Sequence, residues 1–362
     1  MQRATRKPVL IATHGLDPVG TGRQVELLAH GLAAAGRDVH VACTTTGGAL
    51  PERLAAAGIA VHRLGRRPQA DAGVAVRMVG LARRLRAGAV ISFGRRQAVI
   101  AAVVRLMTPG VRALAHVAVP VHGARLGWSL RRMDRVIATS PGVAASCQRL
   151  GVSALRIATI APGIVADQGL GLSRGELARL LGLDPAATWT LCVTPLVAES
   201  RLERLLWGID QLGVVRKGVQ HVLIGAGPQL RRVWRRARVQ ELAERLFVMP
   251  HCGLVLDLLG QVSYVWQPAE TACGGAILDA MARGVPAVAV ESEAARQLIV
   301  TGETGWIVPP LPESEFPRRA FTLLENAEMA AEFGAAAQAR AAEAFPVESM
   351  LTAFGRVLDE PA

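Results

Sequence analysis

The chain has 362 residues, of which 51% are hydrophobic and 19% charged, so it is long enough for two globular domains and too apolar to be mostly disordered. Its net charge of +12 indicates an anionic partner, although nearly all of that charge is arginine, which is also typical of compositional bias. One tyrosine and seven phenylalanines leave few rings to stack on bases, which disfavours nucleic-acid binding.

Cysteine use and the apolar runs bear on the compartment. The five cysteines are odd in number and none is spaced as CxxC, which favours a reducing compartment and argues against structural zinc. The apolar run Val9–Thr13 is too short for the core of a signal peptide, and Ala98–Val104 is too short to span a bilayer. We therefore expect a cytoplasmic protein, with peripheral contact to an anionic membrane left open.

The amino end predicts a βαβ unit. Pro8–Thr13 is a predicted strand, Arg23–Ala35 an amphipathic helix and Asp38–Cys43 a second strand. The predicted loop His14–Gly22 carries three glycines, Gly15, Gly20 and Gly22. Their spacing differs from the dinucleotide fingerprint GxGxxG, so NAD binding has weak support.

Strands and helices continue to alternate over the next 120 residues. Further strands are predicted at Ile59–Leu64, Ala89–Phe93, Arg112–Val117 and Arg135–Thr139. Helices are predicted at Pro51–Ala57, Val74–Leu85, Gln97–Met107 and Leu126–Asp134, and another begins at Ser140. Three histidines lie at or near strand ends, where parallel sheets bind ligands; they are His14, His116 and His122.

Val165–Ser173 lacks periodicity, so we place a hinge there, and a second series of strands and helices follows. Its predicted strands are Trp189–Val193, Gln220–Gly225, Leu246–Pro250, Val262–Trp266 and Val285–Val290. Its predicted helices are Arg174–Leu181, Leu202–Gln211, Val255–Leu259, Ala276–Arg283, Glu291–Val300, Pro317–Asn326, Ala327–Ala344 and Val347–Leu358. This alternation predicts an α/β chain with two parallel sheets covered on both faces.

The segment ETACGGAILDAMARGVPAVAV, followed by TGETGWIVPP, resembles the donor-binding segment of glycosyltransferase family 4 (glycosyl transferases group 1). That family typically has a Glu, seven residues, a second Glu, and then Ala-Met-Ala-x-Gly-x-Pro-Val-Val-Ala. Four further stretches resemble the same family, namely the opening THGLDPVGTGRQVELLAHGLAAAGRDVHVAC, Arg132–Gly142, Ile160–Val165 and LIGAGPQLRRVWRRA.

The resemblance implies the GT-B fold, in which two Rossmann-like domains have parallel sheets facing across a cleft. Residues 1–168 would form the acceptor-binding domain and residues 169–346 the nucleotide-sugar donor-binding domain. Residues 347–362 would form a helix that crosses back to the first domain. The implied activity is transfer of a sugar from a nucleotide-diphosphate sugar, with retention of configuration and without a metal or another cofactor. The chain has no Asp-x-Asp to start a metal site.

The resemblance also implies roles for individual residues. Gly274 and Gly275 would admit a phosphate to the backbone, although relief of crowding where helix meets strand explains them equally simply. Asp279 falls where the family's second Glu binds the ribose diol. The site further includes two candidate catalytic residues, Glu270 and His116, and the candidate donor-binding residues Thr271, Arg201 and Gly22.

Departures from the family pattern leave alternatives open. Counting back from Asp279 places the first Glu at Thr271, so Glu270 stands one residue early. Pro195 and Ser200 take the places of the family's Arg and Lys, and Arg201 and Arg204 nearby could supply the charge. A catalytically degenerate GT-B protein that binds nucleotide sugar or a partner is therefore one alternative. A sugar-nucleotide epimerase on the same fold is another.

Overall fold

The structure is a computed structural model that describes residues 7–45, 50–65, 73–165 and 169–360. The chain divides into two compact units. Unit 1 comprises Met1–Gly163 and Phe345–Ala362, and unit 2 comprises Ile164–Ala344. The proposed hinge stays a prediction, because its residues 166–168 lie outside the described ranges.

Unit 1 is built on a seven-stranded sheet in which every pairing is parallel. Its strands are β1 (Val9–Thr13), β2 (Val39–Cys43), β3 (Ala60–Arg63), β4 (Ala89–Phe93), β5 (Arg112–Val117), β6 (Arg135–Ala138) and β7 (Ile157–Thr159). The strand order across the sheet is β3-β2-β1-β4-β5-β6-β7. The order therefore reverses between β1 and β4, the kind of position at which open α/β sheets bind ligands.

Helices cover both faces of the unit 1 sheet. They are α1 (Thr21–Ala34), α2 (Pro51–Ala56), α3 (Gly73–Leu85), α4 (Arg95–Met107), α5 (Ala124–Leu130), α6 (Pro141–Arg149) and, from the end of the chain, α15 (Val347–Asp359). Side chains from α1, α2 and α15 form one core cluster with the sheet, and those from α3 to α6 form the other. Along β4, Val90 faces one cluster whereas Ile91 and Phe93 face the other, which explains why apolar residues point to both faces of this fully buried strand.

Unit 2 has a six-stranded sheet, again with parallel pairings. Its strands are β8 (Thr188–Val193), β9 (Val219–Ile224), β10 (Leu246–Met249), β11 (Val265–Gln267), β12 (Ala287–Val290) and β13 (Gly305–Val308). Their order is β10-β9-β8-β11-β12-β13, so the order reverses between β8 and β11.

The helices of unit 2 alternate with these strands. They are α7 (Arg174–Leu181), α8 (Leu202–Val215), α9 (Leu230–Val239), α10 (Val255–Leu259), α11 (Gly275–Met281), α12 (Glu293–Leu298), α13 (Glu315–Glu325) and α14 (Ala327–Ala344). Helix α7 shows how local sequence sets their ends. Ser173 and Glu176 form a capping box at its start, and left-handed Gly182 terminates it.

The two parallel-sheet units confirm the predicted fold class, while several element boundaries were wrong. The helix predicted over Leu126–Asp134 ends at Leu130, and the strand predicted over Val262–Trp266 begins only at Val265. Strands β7 and β13 were not predicted. Strand β13 begins with Gly305, where a Cβ would lie 2.4 Å from the carbonyl oxygen of Ala287, so the strand requires a residue that sequence patterns associate with turns.

Candidate functional site

The candidate donor site lies in unit 2 at the carboxyl ends of β8 and β11. The loop after β8 contains Arg201, and the loop after β11 contains Glu270 and Thr271. Because the strand order reverses between these two strands, their loops diverge and leave the crevice in which such sheets bind ligands.

Arg204, in the first turn of α8, holds the loops of this crevice together. Its side chain is 7% exposed, and its guanidinium donates to the carbonyl oxygens of Pro268 at 2.8 Å and Pro310 at 3.2 Å. It also donates to Oε1 of Glu270 at 3.2 Å. One buried arginine thus joins the segment after β13 to the loop after β11. Its guanidinium satisfies two backbone oxygens that would otherwise lose their partners.

Arg201 and Glu270 form the accessible part of this arrangement. The Arg201 side chain is 57% exposed, and its Nε lies 3.9 Å from Oε1 of Glu270. The backbone of Arg201 is left-handed, with φ of 51°, where the preceding 3₁₀ turn ends and α8 begins. The structure therefore brings the candidate ligands Arg201 and Glu270 together, with Arg204 behind them.

Two glycines shape the loop after β8 from the neighbouring strand. A Cβ at Gly225 would lie 1.9 Å from the carbonyl oxygen of Thr194, and one at Gly227 would lie 2.4 Å from that of Leu196. In the same region the backbone N–H of Leu196 donates to the carbonyl oxygen of Ala226, and that of Gln229 donates to the carbonyl oxygen of Leu196. The LIGAGP stretch therefore supports the candidate site through close backbone approach.

The helix after the β11 loop carries the other predicted donor residues. Thr271 is exposed, and α11 begins at the half-buried Gly275. Gly274 has φ of 71°, and a Cβ there would lie 2.6 Å from Cδ1 of Leu298. Packing against α12 therefore accounts for glycine at position 274, and phosphate binding by Gly274 and Gly275 stays a prediction.

Asp279 is almost fully enclosed. It lies on α11, one helical turn after Gly275, and is 2% exposed. A carboxylate can accept from two hydroxyls at once, which is the chemistry that the predicted ribose contact requires. That contact stays a prediction.

In unit 1, the close approach of the backbone explains why position 22 is a glycine. Gly22 is the second residue of α1, and a Cβ there would lie 2.1 Å from the carbonyl oxygen of Asp17. The loop between β1 and α1 therefore folds directly against the start of the helix. The role of Gly22 in donor binding stays a prediction.

His116 is packed between aromatic rings near the end of β5. It is 9% exposed, and its ring stacks on Phe93 with centroids 4.4 Å apart and on Phe354 at 6.2 Å. Burial lowers the pKa of His116 from 6.5 to about 4, so the imidazole is neutral at pH 7. A neutral imidazole could donate one hydrogen bond to a substrate. Packing against the two phenylalanines is by itself enough to explain a histidine at this position. The catalytic role stays a prediction.

The buried His116 predicts a pH dependence of stability. The unfolded chain binds a proton near pH 6.5 whereas the folded chain does so only near pH 4, so stability should fall as the pH drops through that window. The loss by pH 4 is about 3 kcal/mol for this histidine. Urea unfolding of the wild type and of His116→Gln at pH 7 and pH 4.5 measures it. Buried His221, with a pKa of about 3, has the same sign, so only the difference between the two proteins is diagnostic.

An equal loss of stability in His116→Gln and wild type would show that His116 does not carry this dependence. A smaller loss in the variant is the expected result, because glutamine has no proton to gain.

Five arginines lie on the exposed surface of α9, in the cluster Arg231, Arg232, Arg235, Arg236 and Arg238. Arg232 pairs with Glu203 at 3.0 Å, and Trp234 on the same helix is 48% exposed. Contact of this helix with an anionic membrane stays a prediction. Within the described ranges, no helix is long and apolar enough to cross a membrane, and no group of three or more acidic, histidine or cysteine side chains could hold a metal ion.

Two family sequence models match the chain. The model described as Glycosyltransferase Family 4 matches residues 18–168, and the model described as Glycosyl transferases group 1 matches residues 189–326. The chain belongs to this family of glycosyltransferases, which confirms the resemblance seen in the sequence. Among curated proteins, none matches the chain in sequence.

Solved structures agree in fold over nearly the whole chain. HepE of Anabaena, in complex with UDP and glucose, has a TM-score of 0.80 at 18% identity and covers 98% of this chain and 99% of its own. Sucrose-phosphate synthase of Thermosynechococcus elongatus has a TM-score of 0.77 at 18% identity, with coverage of 97% and 98%. TarM of S. aureus, in complex with Fondaparinux, alpha-GlcNAc-glycerol and UDP, has a TM-score of 0.78 at 10% identity, with coverage of 98% and 100%. At these identities the similarity establishes the GT-B fold.

Proposed function

We propose that this protein transfers a sugar from a nucleoside diphosphate sugar to an acceptor, with the donor bound by unit 2 and the acceptor by unit 1. The supporting observation is the cluster of Arg201, Arg204 and Glu270 at the reversal of strand order in unit 2. HepE has been crystallised with UDP and with UDP-glucose, which supports a uridine nucleotide as donor.

In the proposed reaction an acceptor oxygen forms a bond to the anomeric carbon of the sugar. The bond between that carbon and the β-phosphate oxygen breaks, its electron pair leaves with the nucleoside diphosphate, and the acceptor proton passes to solvent. Negative charge grows on the leaving phosphate. The half-exposed guanidinium of Arg201 is able to meet that charge, since it is held at the crevice by the backbone at the start of α8.

Glu270 would act on the sugar side of the same bond. Its carboxylate is 36% exposed and fixed by Arg204 at 3.2 Å, so it is both oriented and accessible. The positive charge develops at the anomeric carbon as the leaving group departs, and a fixed carboxylate stabilises it. The proposal includes retention of configuration and, because arginine supplies the cation at the phosphate, operation without a metal.

Asp279 gives the direct test of the donor site. If its carboxylate binds the ribose diol, Asp279→Ala should weaken UDP binding by about 1–3 kcal/mol, the usual cost of a charged hydrogen bond. Titration calorimetry with UDP measures the change. Asp279→Glu, which installs the residue usual in the family, should bind UDP at least as well as the wild type.

Because Asp279 is buried, each variant is first checked for a cooperative thermal transition. Asp279→Asn keeps the side-chain size and is the variant to use if alanine does not fold. Unchanged UDP affinity in a folded Asn or Ala variant would remove the ribose assignment.

A second function is favoured by Ser200, at the position of the family's phosphate-binding Lys. Ser200 is 4% exposed and its hydroxyl contacts Thr194 and the Pro195 carbonyl, so it points into the protein. A binding protein without transfer activity fits that change. It would bind UDP-glucose without releasing UDP in the presence of acceptors, whereas a transferase releases UDP.

A further inference from the structure

Unit 1 contains an apolar cavity of about 740 Å³ among α3, α4 and α5. Its apolar lining comes from Ala75 on α3, Val99, Ile100 and Val103 on α4, and Leu126 on α5. Val103 lies three residues after Ile100 and four after Val99, so the three side chains share one face of the helix. The cavity is partly open to solvent, and its volume is within the range of sites that bind a small molecule.

The same cavity is bordered by basic side chains. Arg95 and Arg96 open α4, His122 lies in the loop before α5, and Arg125 is in the first turn of α5; all four line the cavity. Arg95 and Arg125 are exposed, and none of the cavity's described lining residues is acidic. The cavity therefore joins an apolar interior to a border of three arginines and one imidazole.

Topology places this border at the carboxyl edge of the sheet. Arg95 follows β4 after a single residue, Gly94, and His122 lies in the loop that leaves β5. Ligands of parallel sheets bind at this edge. The cavity is thus next to the strand ends at which unit 1 is expected to hold an acceptor.

We infer that this cavity binds an anionic amphiphile, with its apolar chain among the α4 side chains and its phosphate at Arg95, Arg96 and Arg125. Guanidinium groups bind phosphate with paired hydrogen bonds. Transfer of the apolar chain from water into the cavity is favourable and adds to the affinity. The inference rests on the proposed function in one respect, namely that the sugar acceptor is carried on such a lipid phosphate.

A second arginine-rich cavity in unit 1 makes a useful contrast. Its volume is about 540 Å³ and six arginines line it, but its apolar lining is only Leu106 and Met133. Its arginines are committed to the protein: Arg112 donates to the carbonyl oxygens of Val357, Leu358 and Glu360, and Arg105 pairs with Asp134 at 2.6 Å. Arg112 therefore stabilises the end of α15, whereas the border of the 740 Å³ cavity combines arginine with an apolar interior.

The test is titration calorimetry with octyl, nonyl and decyl phosphate, each below its critical micelle concentration. Affinity should rise about fourfold for each added methylene, as expected for a chain that is buried. Inorganic phosphate and the neutral amphiphile octyl glucoside should each bind at least about tenfold more weakly than octyl phosphate, because each lacks one of the two interactions.

Variants locate the binding. The double variant Arg95→Ala/Arg125→Ala should bind decyl phosphate at least about tenfold more weakly than the wild type. Val103→Trp should weaken the binding of octyl, nonyl and decyl phosphate, because the larger side chain fills the cavity. Arg149→Ala, which removes an exposed arginine of unit 1 from the end of α6, should leave binding unchanged and is the matched control. None of these variants should alter the affinity for UDP.

Three results would overturn the inference: equal affinity for inorganic and decyl phosphate, an undiminished affinity in the double variant, or binding only to phosphatidylglycerol vesicles. The last would identify a membrane-contact surface. UDP titration on the same protein separates this inference from the proposed function. If UDP binds and decyl phosphate does not, only the amphiphile site is lost. If decyl phosphate binds and UDP does not, the donor site is lost.

Discussion

Replacing Arg204 by alanine should lower the free energy of unfolding of unit 2 by about 3 kcal/mol. The side chain is 7% exposed and binds the carbonyl oxygens of Pro268 and Pro310 as well as the carboxylate of Glu270. Its removal leaves two backbone oxygens and part of a carboxylate without their donor. Tryptophan fluorescence during urea unfolding measures the change, because five of the six tryptophans lie in unit 2.

Arg201→Gln is the control for Arg204→Ala. Arg201 meets the same carboxylate, but it is 57% exposed and 3.9 Å away, so its contribution to stability should be within about 0.5 kcal/mol. In the proposed reaction Arg201→Gln should instead weaken nucleotide binding. If Arg204→Ala were no less stable than Arg201→Gln, the buried arginine would not be what holds the crevice loops together.

Replacing Glu270 by glutamine should reduce sugar transfer about 100-fold or more, because the fixed charge beside the anomeric carbon is lost. Glutamine keeps an oxygen that can accept from Arg204, so the fold and the affinity for UDP should change little. The measurement is UDP release from the sugar donor at saturating concentration, together with UDP titration on the same preparation.

Glu313→Gln is the matched control for Glu270. Its carboxylate also lies near Arg204, at 3.9 Å from Nε, and is 47% exposed. Transfer by Glu313→Gln should match the wild type. Activity of Glu270→Gln within threefold of wild type would show that Glu270 serves only as a partner of Arg204. In that case the one-residue offset from the family pattern would have functional meaning.

The fold could be predicted because both sheets are buried on two faces. Strand β12 is a continuous apolar run, β4 is apolar except for the buried Ser92, and the helices between the strands repeat with a helical period. Strands β7 and β13 were missed for a physical reason. Strand β7 has three residues and no buried one, and β13 opens with a glycine that is needed for close approach to Ala287.

The candidate site was predicted in part. Motif spacing identified the β11 loop and α11, and the structure shows Glu270 near Arg201. Motif spacing did not identify the hydrogen bond from Arg204 to the carbonyl oxygen of Pro310, which is 106 residues away in the sequence. Such a contact depends on how the segments after β8, β11 and β13 are placed in three dimensions, and residue spacing in one sequence does not reveal that placement. The Val-Pro-Pro end of the family stretch was the available signal.

The glycines show the opposite limitation. Gly274 matches the pattern expected of a phosphate-binding turn, yet its positive φ and the nearness of Leu298 require glycine without any ligand. Gly22 is likewise required because the backbone of Asp17 leaves no room for a Cβ. A motif glycine therefore identifies a position with a left-handed backbone or a close neighbour, and only a ligand-binding measurement can add the functional role.

The central claim, that unit 2 binds a nucleoside diphosphate, is tested most directly by thermal unfolding with UDP, GDP and ADP, each with and without EDTA. A nucleotide at about 100 times its dissociation constant should stabilise the folded protein by roughly 2.7 kcal/mol. We predict stabilisation by UDP, much less by GDP and ADP, and no effect of EDTA. If none of the three nucleotides stabilised the protein, the donor site in unit 2 would be contradicted; loss of the UDP effect in EDTA would contradict the metal-free mechanism.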